Sequence, residues 1–325
     1  MPQLDITNVN LSLLLLEILL CSYLYFLPPL LAFQRGHRQF WWILAASIVL
    51  SFVQPPLLQY LLPVDSAGLS LYEVLWISLL YSAGPGWFVL LFWALRSVAS
   101  PDPRLIAFGA SKTADVLAAL PLVVWFGFSA LNLRPGLVQD GGAIVAGSAS
   151  LLVWLQLLSR LFSILFCLLC VWALLARDTA KKSIGGAVPR LCAVAGTFLG
   201  VGILGLPMAG LSLPLQTLAL LLMAGGSAAC ILVLGKLGKS FSIVPEARRL
   251  VTTGPYAWAR HPLYAAEIVI LLGLMLQYRQ PWAVLMGVAV IALQVTRSVF
   301  EERVLSEAFP EYAGYKTRVK RFGFI

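Results

Sequence analysis

His261, Tyr264 and Glu267 follow one another at every third residue, directly after the turn Gly254-Pro255, and His261 is one of only 2 histidines in the chain. Pro262 suits the first turn of a helix, where its missing N–H is not needed. A helix starting at His261 therefore carries these three polar side chains along one side. Its free amides and positive pole offer a place for an anionic group. The Gly254-Pro255 turn sets Tyr256 and Trp258 beside that start, with Arg260 adjoining, so the expected pocket has donors and aromatic rings on one wall.

A second polar group ends the last apolar run, in TRSVFEERVL. Arg297 precedes Glu301 by four residues and shares its helix face. Glu301 and Glu302 are neighbouring carboxylates at the C-terminal end of a helix, where the macrodipole is already negative. They are unfavourable there unless cations lie close. Either Arg297, Arg303 or the preceding basic loop caps them, or they bind a cationic or hydroxyl-rich ligand. A short loop around Gln280 joins the two apolar runs into a hairpin, which returns Glu301 and Glu302 to the level of His261. Groups that accept anions and groups that accept cations then meet in one place, an arrangement suited to a zwitterionic cofactor.

Other costly polar residues within apolar runs are Glu17, Glu73 and Arg160. Charged groups there are uncommon; Glu17 and Glu73 read first as helix–helix contacts, and Arg160 as holding either carbonyls or a lipid group. Cys167 and Cys170 form a CxxC with no histidine or second CxxC nearby, so they read as small residues packing in a helix, and no metal site is expected.

The elements that must position these groups cross a membrane. The chain is 60% hydrophobic and 11% charged, whereas a soluble domain carries about 25% charged residues. Its apolar runs approach or exceed the roughly 20 residues that span a bilayer. The expected fold is an all-α, polytopic transmembrane bundle of about nine spans, near 11–33, 40–61, 74–95, 116–131, 151–176, 191–206, 213–234, 263–276 and 282–300. MPQLDITNVN has no Lys or Arg, so the first run reads as a retained span and not a cleaved signal.

The net charge of +9 is a topology signal. Most Lys and Arg residues fall in alternate loops: Arg35 and Arg38, then Arg96 to Lys112, Arg177 to Arg190, Lys236 to Arg260, and the tail. Positive charge is retained in the cytoplasm during insertion, which puts the N-terminus outside and the C-terminus inside. Attraction to anionic lipid headgroups is a secondary effect, and no nucleic-acid partner is expected. A division near Arg190 separates residues 1–190, a five-span bundle of unknown role, from residues 191–325, four spans with the basic loop and tail, where the costly polar residues concentrate.

The runs LVTTGPYAWARHPLY and FEERVLSEAFPEYAGYKTRV resemble the isoprenylcysteine carboxyl methyltransferase and phospholipid methyltransferase superfamily. Its members share an RHPxYxG motif, a membrane hairpin and a Glu-Glu pair followed by ExxYxxY, and they use S-adenosylmethionine. The resemblance covers about Leu213 to Phe322. Arg260, His261, Pro262 and Tyr264 match the first motif, Glu301 and Glu302 the acidic pair, and Tyr312, Tyr315 and Arg318 the tail. Ala266 stands at the motif's glycine, which puts a methyl group where the backbone is expected to approach the cofactor.

What the resemblance implies is an integral membrane methyltransferase with S-adenosylmethionine as cofactor and its active site at the cytoplasmic face. Tyr256, His261, Pro262, Tyr264, Glu301 and Glu302 would bind the cofactor, the carboxylates holding ribose hydroxyls or the ammonium group and a tyrosine ring facing the sulfonium. Arg260 and Arg318 are the candidate catalytic residues, one of them holding an acceptor oxyanion by a bidentate contact. The acceptor is expected to be lipophilic, first a prenylcysteine-type or isoprenoid carboxylate, with a phospholipid amine as the alternative. A rival reading is a membrane reductase of the sterol-reductase type. Its nicotinamide dinucleotide would ask for Arg and Lys opposite the motif, where Glu301 and Glu302 stand instead. A non-catalytic membrane scaffold is the third.

Overall fold

A computed structural model describes residues 27–34, 36–37, 39–49, 90, 102–184 and 187–323. Most of the first and third apolar runs, the second half of the second, and Glu17, Glu73 and Cys21 lie outside the described residues. The chain divides into two compact units, Met1–Ala118 and Ala119–Ile325.

In the first unit, helix α1 (Leu27–Gln34) packs on α3 (Pro103–Gly109), and α2 (Phe40–Val49) lies between them in sequence. The Asp102 side chain caps α3 by accepting from the Arg104 amide at 2.8 Å, with Pro103 in the first turn. Phe33 meets Phe108 edge-on at 6.1 Å.

Helix α4 (Lys112–Asn132) leads into the second unit and runs on into α5 (Arg134–Val145). There follow α6 (Leu151–Ala176), strand β1 (Lys182–Ser183), and α7 (Ala187–Phe198), which tightens into a 3-10 turn over Leu199–Gly205. Next come α8 (Leu213–Leu237), β2 (Glu246–Ala247), a 3-10 turn at Gly254–Ala257, α9 (Pro262–Gln277), α10 (Trp282–Ala308) and α11 (Tyr312–Arg318). The fold is mainly helical. Among the described residues one small sheet pairs Lys182 with Ala247 and Ser183 with Glu246, tying the loop after α6 to the loop after α8.

Four helical stretches among the described residues are long and apolar enough to cross a membrane: Lys112–Val145, Leu151–Ala176, Leu213–Ser240 and Trp282–Ala308. Phe40–Val49, Val188–Leu204 and Pro262–Gln277 are apolar but shorter. The eighth expected run is thus a helix of 16 residues, about 24 Å long at 1.5 Å per residue, short of the roughly 30 Å hydrocarbon core. On α6, Leu151, Trp154, Leu158, Leu161, Leu165, Leu168, Trp172 and Leu175 are all exposed. Their spacing of three and four puts them in one stripe. So long an apolar face has no place in water, and lipid is its natural surrounding: this is an integral membrane protein.

Helix α8 is central to the second unit, packed against α6 and α9. Cys170, Ala173 and Leu174 of α6 join Cys230, Val233 and Leu234 of α8 and Leu263 and Ala266 of α9 in one buried cluster. Cys167 and Cys170 are free and buried in this packing. Close approach of α8 and α9 depends on glycine. A Cβ on Gly226 would stand 2.7 Å from Ile270 Cγ1 and 3.0 Å from the Ala266 carbonyl, and one on Gly273 would stand 2.7 Å from the Ala219 carbonyl. Small residues at such contacts let membrane helices meet backbone to backbone.

Candidate functional site

Gly254, with φ of 66°, takes the left-handed turn that glycine favours and starts the short 3-10 turn before α9. His261 stands at the N-cap of α9 and Pro262 in its first turn. The hairpin of α9 and α10 forms as the spacing predicts, and it brings the C-terminal part of α10 alongside the start of α9.

The side chains then link in sequence. Tyr264 donates its hydroxyl hydrogen bond to Glu301. The His261 ring lies parallel to the Tyr264 ring with centroids 5.5 Å apart, and the Arg297 guanidinium stands 4.9 Å from the centroid of the same tyrosine. His261 Nδ1 is 3.5 Å from Glu301 Oε2, and its Nε2 is 3.4 Å from Glu302 Oε1 without the alignment of a hydrogen bond. Deeper in, Gln294 donates to Glu267 and accepts from Arg297 Nη1 at 2.9 Å. Arg297 Nη2 donates to the Ile243 carbonyl at 2.9 Å, while Nε has no hydrogen-bond partner among the described residues.

Glu301 and Glu302, adjacent on the helix, point to different company. Glu301 faces a cavity of about 390 Å3 that Tyr256, His261, Tyr264, Glu267 and Arg297 also line, a size within the range of about 300–1,000 Å3 common for small-molecule sites. Glu302 does not line it. Only 3% of its side chain is exposed, and it accepts from Arg260 Nε at 3.0 Å and from Arg321 Nε at 2.9 Å, with Lys316 Nζ at 3.4 Å. Arg260 also donates to the carbonyls of Lys316 and Val319. The amides of Arg260 and His261 are taken by the carbonyls of Lys320 and Arg321, each at 2.9 Å, so these two are not open to an anion. Tyr315 donates to the Tyr256 carbonyl at 2.5 Å. The tail is thereby strapped over the start of α9.

Burial by itself would lower the His261 pKa, but the carboxylates of Glu301 and Glu302 outweigh it and hold the imidazole above its ordinary value. Burial pushes the Tyr315 phenol up to about 12, so it remains a hydrogen-bond donor at physiological pH.

His261, Tyr264, Glu301 and Tyr256 come together at the cavity as expected, whereas Glu302, expected beside the cofactor, does not line it, and other expected residues also lie elsewhere. Arg318 is exposed and donates to the Gly314 carbonyl of its own helix, and it does not join the others. Arg321, a residue the spacing does not single out, pairs with Glu302. Trp258 is 82% exposed and leaves the pocket wall to Tyr256. Pro262 is buried and shapes the helix start without lining the cavity. Ala266 belongs to the buried cluster of α6, α8 and α9 and is likewise off the wall. Gln294 was also unforeseen, although a carboxamide three residues before Arg297 in an apolar run is a visible signal. The far side of the cavity is apolar and includes Trp125, Phe126 and Phe166, from α4 and α6.

Fold and site together define an integral membrane helical protein that gathers carboxylates, imidazole, phenol and guanidinium at one end of a helix hairpin, next to an apolar cavity. Residues 214–312 match the phospholipid methyltransferase family, a branch of the isoprenylcysteine carboxyl methyltransferase and phospholipid methyltransferase superfamily, and this match supports an integral membrane methyltransferase. The chain is also similar to the cobalt-zinc-cadmium resistance protein CzcN of Cupriavidus metallidurans, 37% identical over 106 residues, which are 28% of this chain and 48% of that protein. It is 39% identical over 80 residues to the nickel-cobalt-cadmium resistance protein NccN of Alcaligenes xylosoxydans xylosoxydans, or 24% of this chain and 37% of that protein. The chain thus spans about half the length of the first relative and less of the second.

Proposed function

We propose that this protein is an S-adenosylmethionine-dependent methyltransferase of the isoprenylcysteine carboxyl methyltransferase type, acting on a lipophilic carboxylate such as a prenylcysteine-type or isoprenoid acid. The observation that carries the reading is a single cavity lined by Glu301, His261, Tyr256 and Arg297 together with the apolar Trp125, Phe126 and Phe166. Residues 191–325 form the catalytic part in this reading. Trp125, Phe126 and Phe166 support a role for helices before residue 190 in shaping the acceptor space.

S-adenosylmethionine, when bound, supplies a methyl group on a sulfonium centre. Glu301 would hold ribose hydroxyls or the ammonium group, and exposed Arg249, which also lines the cavity, would hold the carboxylate of the amino-acid part. Tyr256 is the ring left for the cationic centre, since the Tyr264 ring already faces Arg297. An ionised carboxylate acceptor is already a nucleophile and needs only to be held. Arg297, buried and fixed by Gln294 and the Ile243 carbonyl, would orient it, and positioning supplies much of the acceleration in such a displacement. Arg260 is tied to Glu302 and the tail, which supports a positioning role.

A phospholipid amine is the second reading, favoured by the family matched. An amine must lose a proton, and Glu267, paired with Gln294 inside the cavity, is the group placed to take it. Binding of radiolabelled S-adenosylmethionine to the purified protein tests the common part. Saturable binding that Glu301→Gln weakens is expected, whereas binding of a nicotinamide dinucleotide in its place would return the reductase reading.

A further inference from the structure

The second cavity lies at the other end of the same helices. It is an open cavity of about 480 Å3, lined by Leu133 between α4 and α5, the first half of α6, the turn before α8, the early turns of α8 and the end of α9. Gln277 closes the helix that His261 opens, so the two sites stand about 24 Å apart along α9 at 1.5 Å per residue.

Helix α6 has four polar side chains apart from its cysteines, Gln156, Ser159, Arg160 and Ser163, and all four line this cavity. Their spacing puts them on one face, away from the exposed leucine stripe. Gln216 of α8 and Gln277 of α9 complete the lining from across the cavity. The four polar side chains of α6 thus share one space with a glutamine from each of α8 and α9, although each such group is unfavourable in hydrocarbon.

The charge in this space is cancelled. Arg160 Nη1 pairs with Asp140, itself buried, and donates to the Gly136 carbonyl at 2.9 Å. Gly136 makes room for the guanidinium, because a Cβ there would lie 2.7 Å from Arg160 Cζ. Arg160 Nε and Nη2 make no hydrogen bond among the described residues, and the side chain is 30% exposed. The polar part of the lining is three carboxamides, two hydroxyls and the spare N–H groups of a guanidinium whose charge Asp140 balances. Carboxamides and hydroxyls both donate and accept. That complement matches alcohol groups, which also do both, better than an anion or a cation. Leu220 and Met223 supply an apolar floor, and Leu213 and Leu221 nearby on α8 are exposed to lipid, so a ligand with a hydrocarbon part has somewhere to lay it.

We propose that this cavity binds the uncharged, hydroxyl-rich headgroup of a membrane lipid, of the glycosyl or glycerol kind, independently of the methyl-transfer site. Water alone is the outcome that the test must separate.

Native mass spectrometry of the detergent-purified full-length protein, titrated with monogalactosyl diacylglycerol, phosphatidylglycerol and phosphatidylcholine of the same chain length, provides that test. The galactosyl lipid should bind at least tenfold more tightly than phosphatidylcholine. Gln156→Leu and Ser163→Leu, both compatible with a membrane helix, should each weaken it at least fivefold while leaving S-adenosylmethionine binding unchanged. Equal binding of the three lipids by the wild-type protein overturns the proposal without recourse to any variant. A preference that survives both substitutions overturns the location. Free galactose binding as tightly as the galactosyl lipid would make the ligand a soluble sugar and overturn the lipid assignment.

Discussion

At the scale of the residue, Glu301 and Glu302 differ in what surrounds them, and their substitutions should part accordingly. Glu301→Gln removes a charge facing the cavity, so cofactor affinity should fall by about 1.5–3 kcal/mol, the worth of a charge-assisted hydrogen bond, with little change in thermal midpoint. Glu302→Gln leaves Arg260 and Arg321 without their counter-charge. Breaking a buried pair costs about 3–5 kcal/mol, so here the midpoint should drop first; unchanged midpoints in both variants would deny Glu302 its clamp. Among the arginines, Arg297→Lys should lower turnover well beyond its effect on cofactor binding, because charge is kept while the planar fork is lost. Arg318→Lys should be near normal. Equal turnover in wild type and Arg297→Lys would take that residue out of the mechanism. His261 has a folded pKa above its unfolded one, so in the window between them the folded state binds more protons and stability declines as pH rises. The stability advantage of wild type over His261→Asn should be full below about pH 6.5 and shrink above it; an advantage that grows with pH would contradict the assigned partners.

At the scale of the element, the site depends on how closely α8 approaches α9. Gly226→Ala forces a methyl group to 2.7 Å from Ile270 Cγ1 and 2.9 Å from its amide nitrogen, and backbone cannot rotate away. Overpacking of this kind costs about 1–3 kcal/mol. Gly225→Ala, whose Cβ meets nothing within 4 Å, is the matched control and should be neutral or slightly stabilising. Unfolding midpoints for the two variants check this directly, and a Gly226→Ala protein as stable as Gly225→Ala would mean that the helices are not in backbone contact.

At the scale of the whole molecule, the proposed active site and the small sheet share one end of the second unit: Ser183 pairs with Glu246, and Lys182 Nζ is 2.8 Å from Glu307 at the end of α10. The distribution of Lys and Arg predicts that this end faces the cytoplasm. Cysteine labelling after Ser183→Cys and Ser66→Cys should show the two positions on opposite sides of the membrane; modification of both by the same impermeant reagent from one side would reverse or remove that orientation.

The sequence by itself determined the membrane setting, the helical class and the core of the site. An apolar run long enough to span is a one-dimensional property, and so is a motif whose three members lie on one helix, as His261, Tyr264 and Glu267 do. The pairing of that motif with Glu301 was legible too, because a short loop at Gln280 leaves two helices little choice but to return alongside each other. Only the tertiary structure decided what stands against what across unrelated segments. It separated Glu301 from Glu302, since two successive residues on a helix point about 100° apart and their surroundings are set by other elements. It gave Arg321 the place beside Glu302 and left Arg318 outside, because the direction of a tail after its last helical turn follows from backbone pairing with Arg260 and His261. It also turned Arg160 from an isolated cost into part of a cavity, since only packing pairs it with Asp140 and sets Gln216 and Gln277 around the same space.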